Sequence, residues 1–346
     1  MNDITIDDYS CVRETVLSWK GRKVLVAGDM ILDEYLYGTT DRVSREAPVV
    51  VVRYDGSSWC PGGAANAATN IASLGGRAVT SGVTGRDDAA ERLTGMLRSS
   101  GVNTGGIVAS AKLMTTSKMR VLAGDFHAQR QQIVRIDRES GARLSPEIGK
   151  RFLRSIEKRL PGCGAVILSD YGQGLFSAET SAAVISMASA SGIPVIADSR
   201  FALKRFRGIT TATPNEVEAA EAAGIDPGSD DALAKTGRKL LRELGSESLL
   251  ITRGRLGMAL FRPRMKTLMA GVVGSPEATD VTGAGDTVVS AVALTLAAGG
   301  GMREAMLAAN VAASIVVMKR GTAVTGPDEI MDRLDSLAEA GGGGGS

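Results

Sequence analysis

The stretch Asp280-Val-Thr-Gly-Ala-Gly-Asp286 runs directly into the apolar segment Thr287-Val-Val-Ser-Ala-Val-Ala-Leu-Thr-Leu296. Gly283 and Gly285 permit a tight turn, and the apolar segment after them predicts a buried helix. A helix that begins in this way turns its first N–H groups and its positive dipole end toward one point. The sequence therefore predicts an anion site at the start of a buried helix.

Asp286 is an unexpected neighbour for an anion site, because its carboxylate repels phosphate. Its presence is explained if it takes a proton from an attacking hydroxyl group. We therefore interpret Asp286 as a general base, with the backbone N–H groups of Gly283, Ala284 and Gly285 binding the developing charge. Glycine turns with a capping Asp also open many helices that bind no ligand, so this heptapeptide alone leaves the function open.

A second glycine loop, Pro61-Gly-Gly-Ala-Ala-Asn66, precedes another helical run near the opposite end of the chain. The paired glycines, Gly62 and Gly63, let a ligand approach the backbone closely. The side-chain amide of Asn66 can both donate to and accept from a sugar hydroxyl. The two loops together predict one site with an anion on one side and a sugar on the other.

The first predicted strand ends in Gly28-Asp29, and Asp33 follows four residues later. Open α/β sheets bind ligands at the carboxyl ends of their strands. We favour Asp33 as a sugar ligand, because a carboxylate accepts two hydroxyl hydrogen bonds at once. The plain alternative is that Asp29 or Asp33 only caps a turn.

Short β-rich apolar runs alternate with helical stretches, which predicts an α/β fold with a doubly wound, mostly parallel sheet. Predicted strands include 24–27, 78–81, 165–168, 194–197 and 249–252, and predicted helices include 87–99, 178–191 and 303–319. Regions of about 36–56 and 113–138 have strand-like runs without crossover helices. We interpret them as a small β-sheet lid, with an extension of the main sheet as the alternative. We expect one domain over residues 1–340 and a flexible Gly/Ser tail at 341–346.

Composition excludes several classes of protein. The chain has 40 basic and 38 acidic residues, and its Lys and Arg residues form no continuous block. Nucleic acid and anionic membranes are therefore not expected partners. No apolar run reaches the roughly 18 residues of a membrane span. Three cysteines without metal spacing and a single histidine exclude a His-based metal cluster and a Ser-His-Asp triad. The acidic, polar start of the chain has no secretory pattern, and we expect a cytoplasmic protein.

The two glycine loops resemble the two signature regions of the ribokinase-like (PfkB) carbohydrate kinases, and the resemblance covers nearly the whole chain. Within this family the narrower resemblance is to D-glycero-D-manno-heptose 7-phosphate kinases, including the kinase half of the bifunctional heptose kinase/adenylyltransferase. Five further stretches carry it, at residues 28–35, 44–49, 115–121, 168–171 and 213–215.

This resemblance implies a ribokinase-like fold, ATP as phosphoryl donor, Mg²⁺ as cofactor, and a homodimer that shares its lid. It also implies transfer to the anomeric hydroxyl of heptose 7-phosphate, giving a 1,7-bisphosphate. Asn215 and Glu218 match the Asn-x-x-Glu element that organises magnesium in the family, Glu218 through water. Some relatives use potassium near the residues that match Asp280 and Thr282.

The same resemblance implies two sets of contacts. The expected substrate contacts are Asp33, Gly62, Gly63, Asn66 and Asp170, with Lys118, Arg120 and Arg135 near the phosphate of the sugar. The expected nucleotide contacts are Asn215, Thr252, Gly254, Gly257, Asn310 and Ala313. Each set has a plainer interpretation as well: a solvated strand face for the cations, and a β-turn between two strands for residues 252–257. Residues 213–216 also predict a helix start with Thr213 as N-cap and Pro214 as first residue.

The chain departs from the heptose kinases at two positions, where Gln173 and Arg200 replace the usual lysines. These changes leave room for a different acceptor, such as a pentose, another hexose phosphate or a nucleoside. A catalytically silent sugar-binding regulator is a further alternative, disfavoured by the intact Asp286. A Rossmann oxidoreductase is disfavoured because residues 28–33 lack the Gly-x-Gly-x-x-Gly opening.

Overall fold

The computed structural model describes residues 2–4, 6–124, 130–140, 144–274 and 277–342. Its strands are β1 (Asn2–Asp3), β2 (Lys23–Gly28), β3 (Met30–Val43), β4 (Val50–Gly63), β5 (Arg77–Thr84), β6 (Asn103–Ala109), β7 (Thr116–Gly124), β8 (Gln131–Arg138), β9 (Ala165–Asp170), β10 (Val195–Ser199), β11 (Thr211–Ala212), β12 (Leu249–Thr252), β13 (Met258–Phe261) and β14 (Leu268–Ala270). Its α-helices are α1 (Val12–Ser18), α2 (Ala64–Ser73), α3 (Asp88–Ser99), α4 (Pro146–Arg159), α5 (Ala178–Ala190), α6 (Glu216–Ala223), α7 (Asp230–Leu244), α8 (Ala284–Ala297), α9 (Met302–Val316) and α10 (Pro327–Gly342).

Six parallel strands form the central sheet in the order β11-β10-β9-β2-β5-β6. Side chains of β2 alternate between the two faces of this sheet. Val24 and Val26 belong to the apolar core that also contains residues of α2, α8 and α9, whereas Leu25 belongs to a second core with residues of α4, α5 and α7. The predicted α/β, doubly wound and mostly parallel fold is therefore confirmed.

The sheet continues past β11, because the N–H of Thr252 donates to the carbonyl of Pro214 at 3.0 Å. Beyond this contact lie β12, β13, β14 and β1, in which β12–β13 and β13–β14 pair antiparallel. One edge of the molecule is thus antiparallel, and its β12–β13 turn lies at the same end of the sheet as the carboxyl ends of the parallel strands.

A separate four-stranded sheet has the order β4-β3-β7-β8. Strand β3 leaves β2 after the single residue Asp29, pairs antiparallel with β4, and pairs parallel with β7. These strands overlap the regions 36–56 and 113–138, but the β3–β4 hairpin begins at Met30 and returns to Gly63, well beyond the expected limits. Residues 125–129 of the second region lie outside the described residues. So do tail residues 343–346, while α10 reaches Gly342.

Strand β2 is the topological switch of the central sheet. The chain passes from β2 to β5 and β6 on one side, and later to β9, β10 and β11 on the other. The crevice between the carboxyl ends of β2 and β9 is the place where open α/β sheets bind ligands. Asp29 and Asp170 end these two strands at that crevice.

Helix α6 begins two residues later than the sequence predicts. Its N-cap is Asn215, which accepts from the N–H of Glu218, while the side chain of Glu218 accepts from the N–H of Asn215. The N–H of Thr213 donates to the carbonyl of Ala197, and Pro214 accepts from β12. Both residues are therefore held in the sheet, which prevents Thr213 from acting as the N-cap.

The helices of the described residues include none that is long and apolar enough to pass through a membrane.

Close packing at Gly28 gives a test of this architecture. A β-carbon there would lie 2.2 Å from the carbonyl oxygen of Ser169 and 2.9 Å from Cβ of Ala64. We expect Gly28→Ala to lower the free energy of unfolding by about 3 kcal/mol, because β2, β9 and α2 must separate. Urea denaturation measures this change.

The matched control is Gly95→Ala in α3, where a β-carbon meets no atom within 4 Å. We expect this variant to be more stable than the parent by about 0.5–1 kcal/mol. Equal stability of the Gly28→Ala variant and the parent would contradict the packing described here.

Candidate active site

Helix α8 begins where the two glycine loops meet. Its N-cap, Gly283, has φ of +80°, a left-handed conformation that favours glycine. A β-carbon at Gly283 would lie 3.0 Å from the side-chain nitrogen of Asn66 and 3.0 Å from Cγ2 of Thr322. The loops before α2 and α8 are therefore in direct contact, as one site requires.

Asp286 occupies the first turn of α8, and its side chain is buried. Nδ2 of Asn66 donates to Oδ2 of Asp286 at 2.6 Å, and the hydroxyl of Tyr171 donates to Oδ1 at 3.3 Å. Burial raises the pKa of Asp286 to about 7, while these hydrogen bonds lower it and the nearby Asp33 raises it. A carboxyl group with this pKa can accept a proton and release it near neutral pH.

Asp33 lies at the base of the separate sheet, near enough to Asp286, the partner of Asn66, to raise the pKa of Asp286. Nη1 of Arg120 donates to Oδ1 of Asp33 at 2.6 Å, and both side chains are largely buried. A β-carbon at Gly62 would lie 2.4 Å from Oδ2 of Asp33, so only glycine leaves room for this carboxylate. The structure thus brings Asp33, Gly62, Asn66 and Arg120 together.

The other expected substrate residues have different surroundings. Asp170 is buried, and its carboxylate accepts from the N–H of Gly172 and the hydroxyl of Ser199. Gly63 is the N-cap of α2, with φ of +55°. Lys118 lies beside Asp33 in the β3–β7 register, whereas Arg135 on exposed β8 pairs with Asp137. Asp170 therefore holds a loop in place, and Arg135 is already paired at the surface.

A cavity of about 550 Å³ lies between the β12–β13 turn and the starts of α6 and α8, with α9 along one side. All six residues expected to contact nucleotide line it: Asn215, Thr252, Gly254, Gly257, Asn310 and Ala313. Residues 254–256 form a single 3₁₀ turn between antiparallel strands. The interpretation of residues 252–257 as a β-turn between two strands agrees with this structure, and their contact with nucleotide stays a prediction. Ala284 and Gly285 line this cavity as well.

Three residues of the cavity lining have side-chain oxygens that could bind a metal ion: Asp198, Thr213 and Glu218. Burial raises the pKa of Asp198 well above its ordinary value, and the charges of Asp286 and Glu218 add to this effect. Burial also raises the pKa of Glu218. Oγ1 of Thr213 is buried and has no hydrogen-bond partner in the part of the chain that the structure describes. These hard oxygen donors fit Mg²⁺, which takes few protein ligands and keeps several waters.

The carboxylate of Asp280 accepts two backbone hydrogen bonds. Its Oδ1 accepts from the N–H of Thr282 and its Oδ2 accepts from the N–H of Gly321, both at 2.9 Å. The described residues contain no cluster of three or more His, Cys, Asp or Glu side chains placed to hold a metal ion. Asp280 therefore ties the glycine turn before α8 to the loop after α9.

Asp29 caps a turn, which is the plainer role expected for it, whereas Tyr171 and Asp198 had no predicted role in the site. Oδ2 of Asp29 accepts from the N–H groups of Tyr171 and Gln173, at 2.8 and 3.2 Å, and so fixes the loop that carries the Tyr171 hydroxyl. Burial raises the pKa of Asp29 to about 7, and the charge of Asp170 contributes. All three residues lie at or just beyond the carboxyl end of a predicted strand, which is the signal that could have found them.

The structure shows the contacts of Gln173 and Arg200, the two residues that replace the lysines usual in heptose kinases. The side chain of Gln173 donates to Glu139 at 3.1 Å and accepts from Thr116 at 3.2 Å. The guanidinium of Arg200 lies 5.7 Å from the ring centre of Phe201. Gln173 therefore joins the base of β7 to the loop after β9.

A buried carboxyl group between two glycine loops, beside a cleft at the carboxyl ends of the parallel strands, fits a carbohydrate kinase. The family model described as "pfkB family carbohydrate kinase" matches residues 22–329, and the chain belongs to this family.

Among curated relatives, the chain is 40% identical to "Bifunctional protein HldE" of Proteus mirabilis over 334 residues, which cover 96% of the chain and 68% of the relative. It is 38% identical to the protein of the same name from Desulfatibacillum aliphaticivorans over 313 residues, covering 90% of the chain and 63% of the relative. The chain thus spans about two thirds of the length of these relatives.

Solved structures share the fold at lower identity. A ribokinase of Arabidopsis thaliana, complexed with ribose and ATP, superposes with a TM-score of 0.72 at 20% identity, covering 91% of this chain and 99% of that one. Phosphofructokinase-2 of Escherichia coli, in complex with fructose-6-phosphate, gives a TM-score of 0.73 at 20% identity, covering 92% and 99%.

The raised pKa of Asp286 predicts a pH-dependent effect on stability. The pKa is about 7 in the folded protein against 3.8 without the fold, so the wild type loses stability as pH rises between these values. Asp286→Asn avoids that loss. We expect the variant to be more stable than wild type at pH 8, by on the order of 3 kcal/mol, and equally stable at pH 4. Urea denaturation at both pH values measures the difference.

Asp280→Asn is the control, because we expect it to change stability at pH 8 in the opposite direction. Although partial burial raises the pKa of Asp280, the hydrogen bonds from Thr282 and Gly321 lower it overall. Its charge therefore stabilises the fold above the ordinary carboxyl pKa, and the variant should be less stable than wild type at pH 8. A loss of stability at pH 8 in the Asp286→Asn protein would contradict the assigned pKa shift.

Proposed function

We propose that this carbohydrate kinase transfers the γ-phosphoryl group of ATP to the anomeric hydroxyl of D-glycero-D-manno-heptose 7-phosphate, giving the 1,7-bisphosphate. The observation that carries the proposal is the position of Asp286. It lies between the cavity lined by Ala284 and Gly285 and the polar group formed by Asp33 and Asn66. One carboxyl group is thus within reach of both a phosphoryl donor and a sugar acceptor.

In the proposed reaction, Asp286 takes the proton of the acceptor hydroxyl as its oxygen attacks the γ-phosphorus. The new O–P bond forms as the bond from the γ-phosphorus to the bridging oxygen breaks, and ADP leaves. N–H groups at the start of α8 stabilise the negative charge. The N–H of Ala284 already donates to the carbonyl of Val281 at 3.2 Å, so we expect Gly283 and Gly285 to be the principal donors.

Magnesium would be held on the cavity wall by Glu218 and Asp198, and it would neutralise charge on the triphosphate. Their raised pKa values support this role, because two neighbouring, partly buried carboxyl groups are stabilised by a shared cation. The capping box between Asn215 and Glu218 fixes the carboxylate of Glu218 against the start of α6.

The acceptor side rests on Asp33, Asn66 and the cations of β7. Asp33 and Arg120 neutralise each other, and a sugar hydroxyl can bind to this pair without leaving either charge buried alone. Lys118, on the same face of β7, has no ion-pair partner among the described residues and is the cation we propose for the 7-phosphate. The relatives named HldE support a heptose acceptor.

The first experiment incubates the protein with ATP, Mg²⁺ and a panel of sugars that includes heptose 7-phosphate, hexose phosphates, pentoses and nucleosides. Phosphorus NMR locates the new phosphate. We expect heptose 7-phosphate to be preferred, and Asp286→Asn to lose turnover by more than about 10³-fold while still binding ATP. Near-native turnover of Asp286→Asn would overturn the proposed function, and preference for a pentose or nucleoside would overturn the acceptor.

The same assay tests a monovalent cation. We propose that potassium binds beside Asp280 and Thr282 and stiffens the turn before α8. Replacing potassium by tetramethylammonium should then lower turnover, and unchanged turnover would remove this part of the proposal.

We also propose that the separate sheet is a lid over the acceptor and that its outer face forms a homodimer. Ile136 and Val134 of β8 are about 45% exposed, and they lie opposite Met119 and Val121 of β7, which places all four side chains on one face. The face bearing Asp33 and Tyr35 turns the other way, toward Thr322.

Substituting Ile136→Lys should convert a dimer to a monomer in sedimentation, because it places charge in an apolar contact. Val217→Lys, at a similarly exposed apolar residue on α6, is the control and should leave the mass unchanged. A monomeric wild-type protein would refute the dimer.

A further inference from the structure

Four buried side chains form a closed circuit between α2 and α8. Nδ2 of Asn66 donates to Asp286 at 2.6 Å, and Oδ1 of Asn66 accepts from Nδ2 of Asn70 at 3.2 Å. Oδ1 of Asn70 accepts from the hydroxyl of Thr287 at 2.7 Å. Thr287 follows Asp286 on α8, so the circuit returns to the helix on which it starts. Asn70 and Thr287 are fully buried and lie behind Asn66.

The direction of this circuit is set by a backbone carbonyl. Nδ2 of Asn70 also donates to the carbonyl oxygen of Asn66 at 3.0 Å, and a carbonyl oxygen can only accept. The NH₂ group of Asn70 must therefore face Asn66, and its oxygen must face Thr287. As a result the oxygen of Asn66 faces Asn70, and the NH₂ group of Asn66 faces Asp286.

A fixed donor treats the two states of Asp286 differently. It stabilises the ionised carboxylate, whereas a protonated carboxyl group would gain from a neighbour that can accept. If the side-chain amide of Asn66 could rotate by 180°, its oxygen would face Asp286 and accept a hydrogen bond from the protonated carboxyl group. The other titratable groups that face Asp286 are Tyr171 after β9, Asp198 at the end of β10 and Asp33 on β3. The two carboxyl groups among them oppose ionisation.

We propose that Asn70 and Thr287 are positioning residues that lock the Asn66 amide as a donor and so keep the carboxylate of Asp286 available as a base. This inference rests on the proposed role of Asp286. Neither residue touches the cavity, and the effect passes through Asn66. Their contribution is specific to the ionisation of one carboxyl group, which separates it from ordinary helix packing.

The experiment measures kcat against pH, from about 5.5 to 9, for wild type, Asn70→Leu and Thr287→Val. Thr287→Val keeps the shape of the side chain, Asn70→Leu keeps its branching with a greater volume, and both remove the polar group. We expect the acid limb of the kcat profile to move up by about one pH unit, which lowers turnover about fivefold at the wild-type midpoint and little at pH 9. KM for ATP should not change. Thr287→Ser retains the hydroxyl and should restore the wild-type profile.

Thr69→Val is the matched control, because the Thr69 hydroxyl donates only to the carbonyl of Ala65 within α2. We expect it to leave the pH profile unchanged. A uniform fall of turnover at every pH in both test variants, or an unmoved acid limb, would overturn this proposal. Active Asp286→Asn protein would instead overturn the proposed function, so the two failures are distinguishable. Because Thr287→Val is a mild change, it keeps the test valid if Asn70→Leu fails to fold.

Discussion

The contact between the first turns of α2 and α8 is the constraint on which the site depends. Asn66 on α2 donates to Asp286 on α8, and Gly283 leaves room for the Asn66 amide. The helices are also joined by the Ser290 hydroxyl, which donates to the carbonyl of Ala67 at 3.0 Å. Two loops that are far apart in sequence are thereby held at one edge of the central sheet.

Burying the carboxyl group of Asp286 at this contact lowers the stability of the fold when that group is ionised. A carboxyl group with a pKa of about 7 is forced into a buried position, and Asp29 and Asp198 nearby also have raised pKa values. Such clusters of like charge are typical of sites that bind cations or move protons. The cost is tolerated because the surrounding helices and strands are packed into two large apolar cores.

Two short connections join the separate sheet to this edge: Asp29 alone lies between β2 and β3, and β4 leads directly into α2. Its base carries Asp33, which lies over Gly62 and pairs with Arg120. The connection through Asp29 therefore places one acidic residue at the floor of the crevice and another on the second sheet. Such an arrangement couples the position of the sheet to the site beneath it.

The sequence alone determined the fold class, four strands of the central sheet and β12 beside it, because local apolar periodicity reports them directly, and its two glycine loops carry the family resemblance. The family resemblance also predicted, as one group, six residues that line the large cavity. Only the tertiary structure decided partners: Asn66 faces Asp286, Arg120 pairs with Asp33, Arg135 pairs with Asp137, and α6 starts at Asn215. The physical reason is that side-chain hydrogen bonds and sheet-edge contacts join residues far apart in the chain; Asn66 and Asp286, for example, are separated by 220 positions. Local sequence patterns carry no record of such distances.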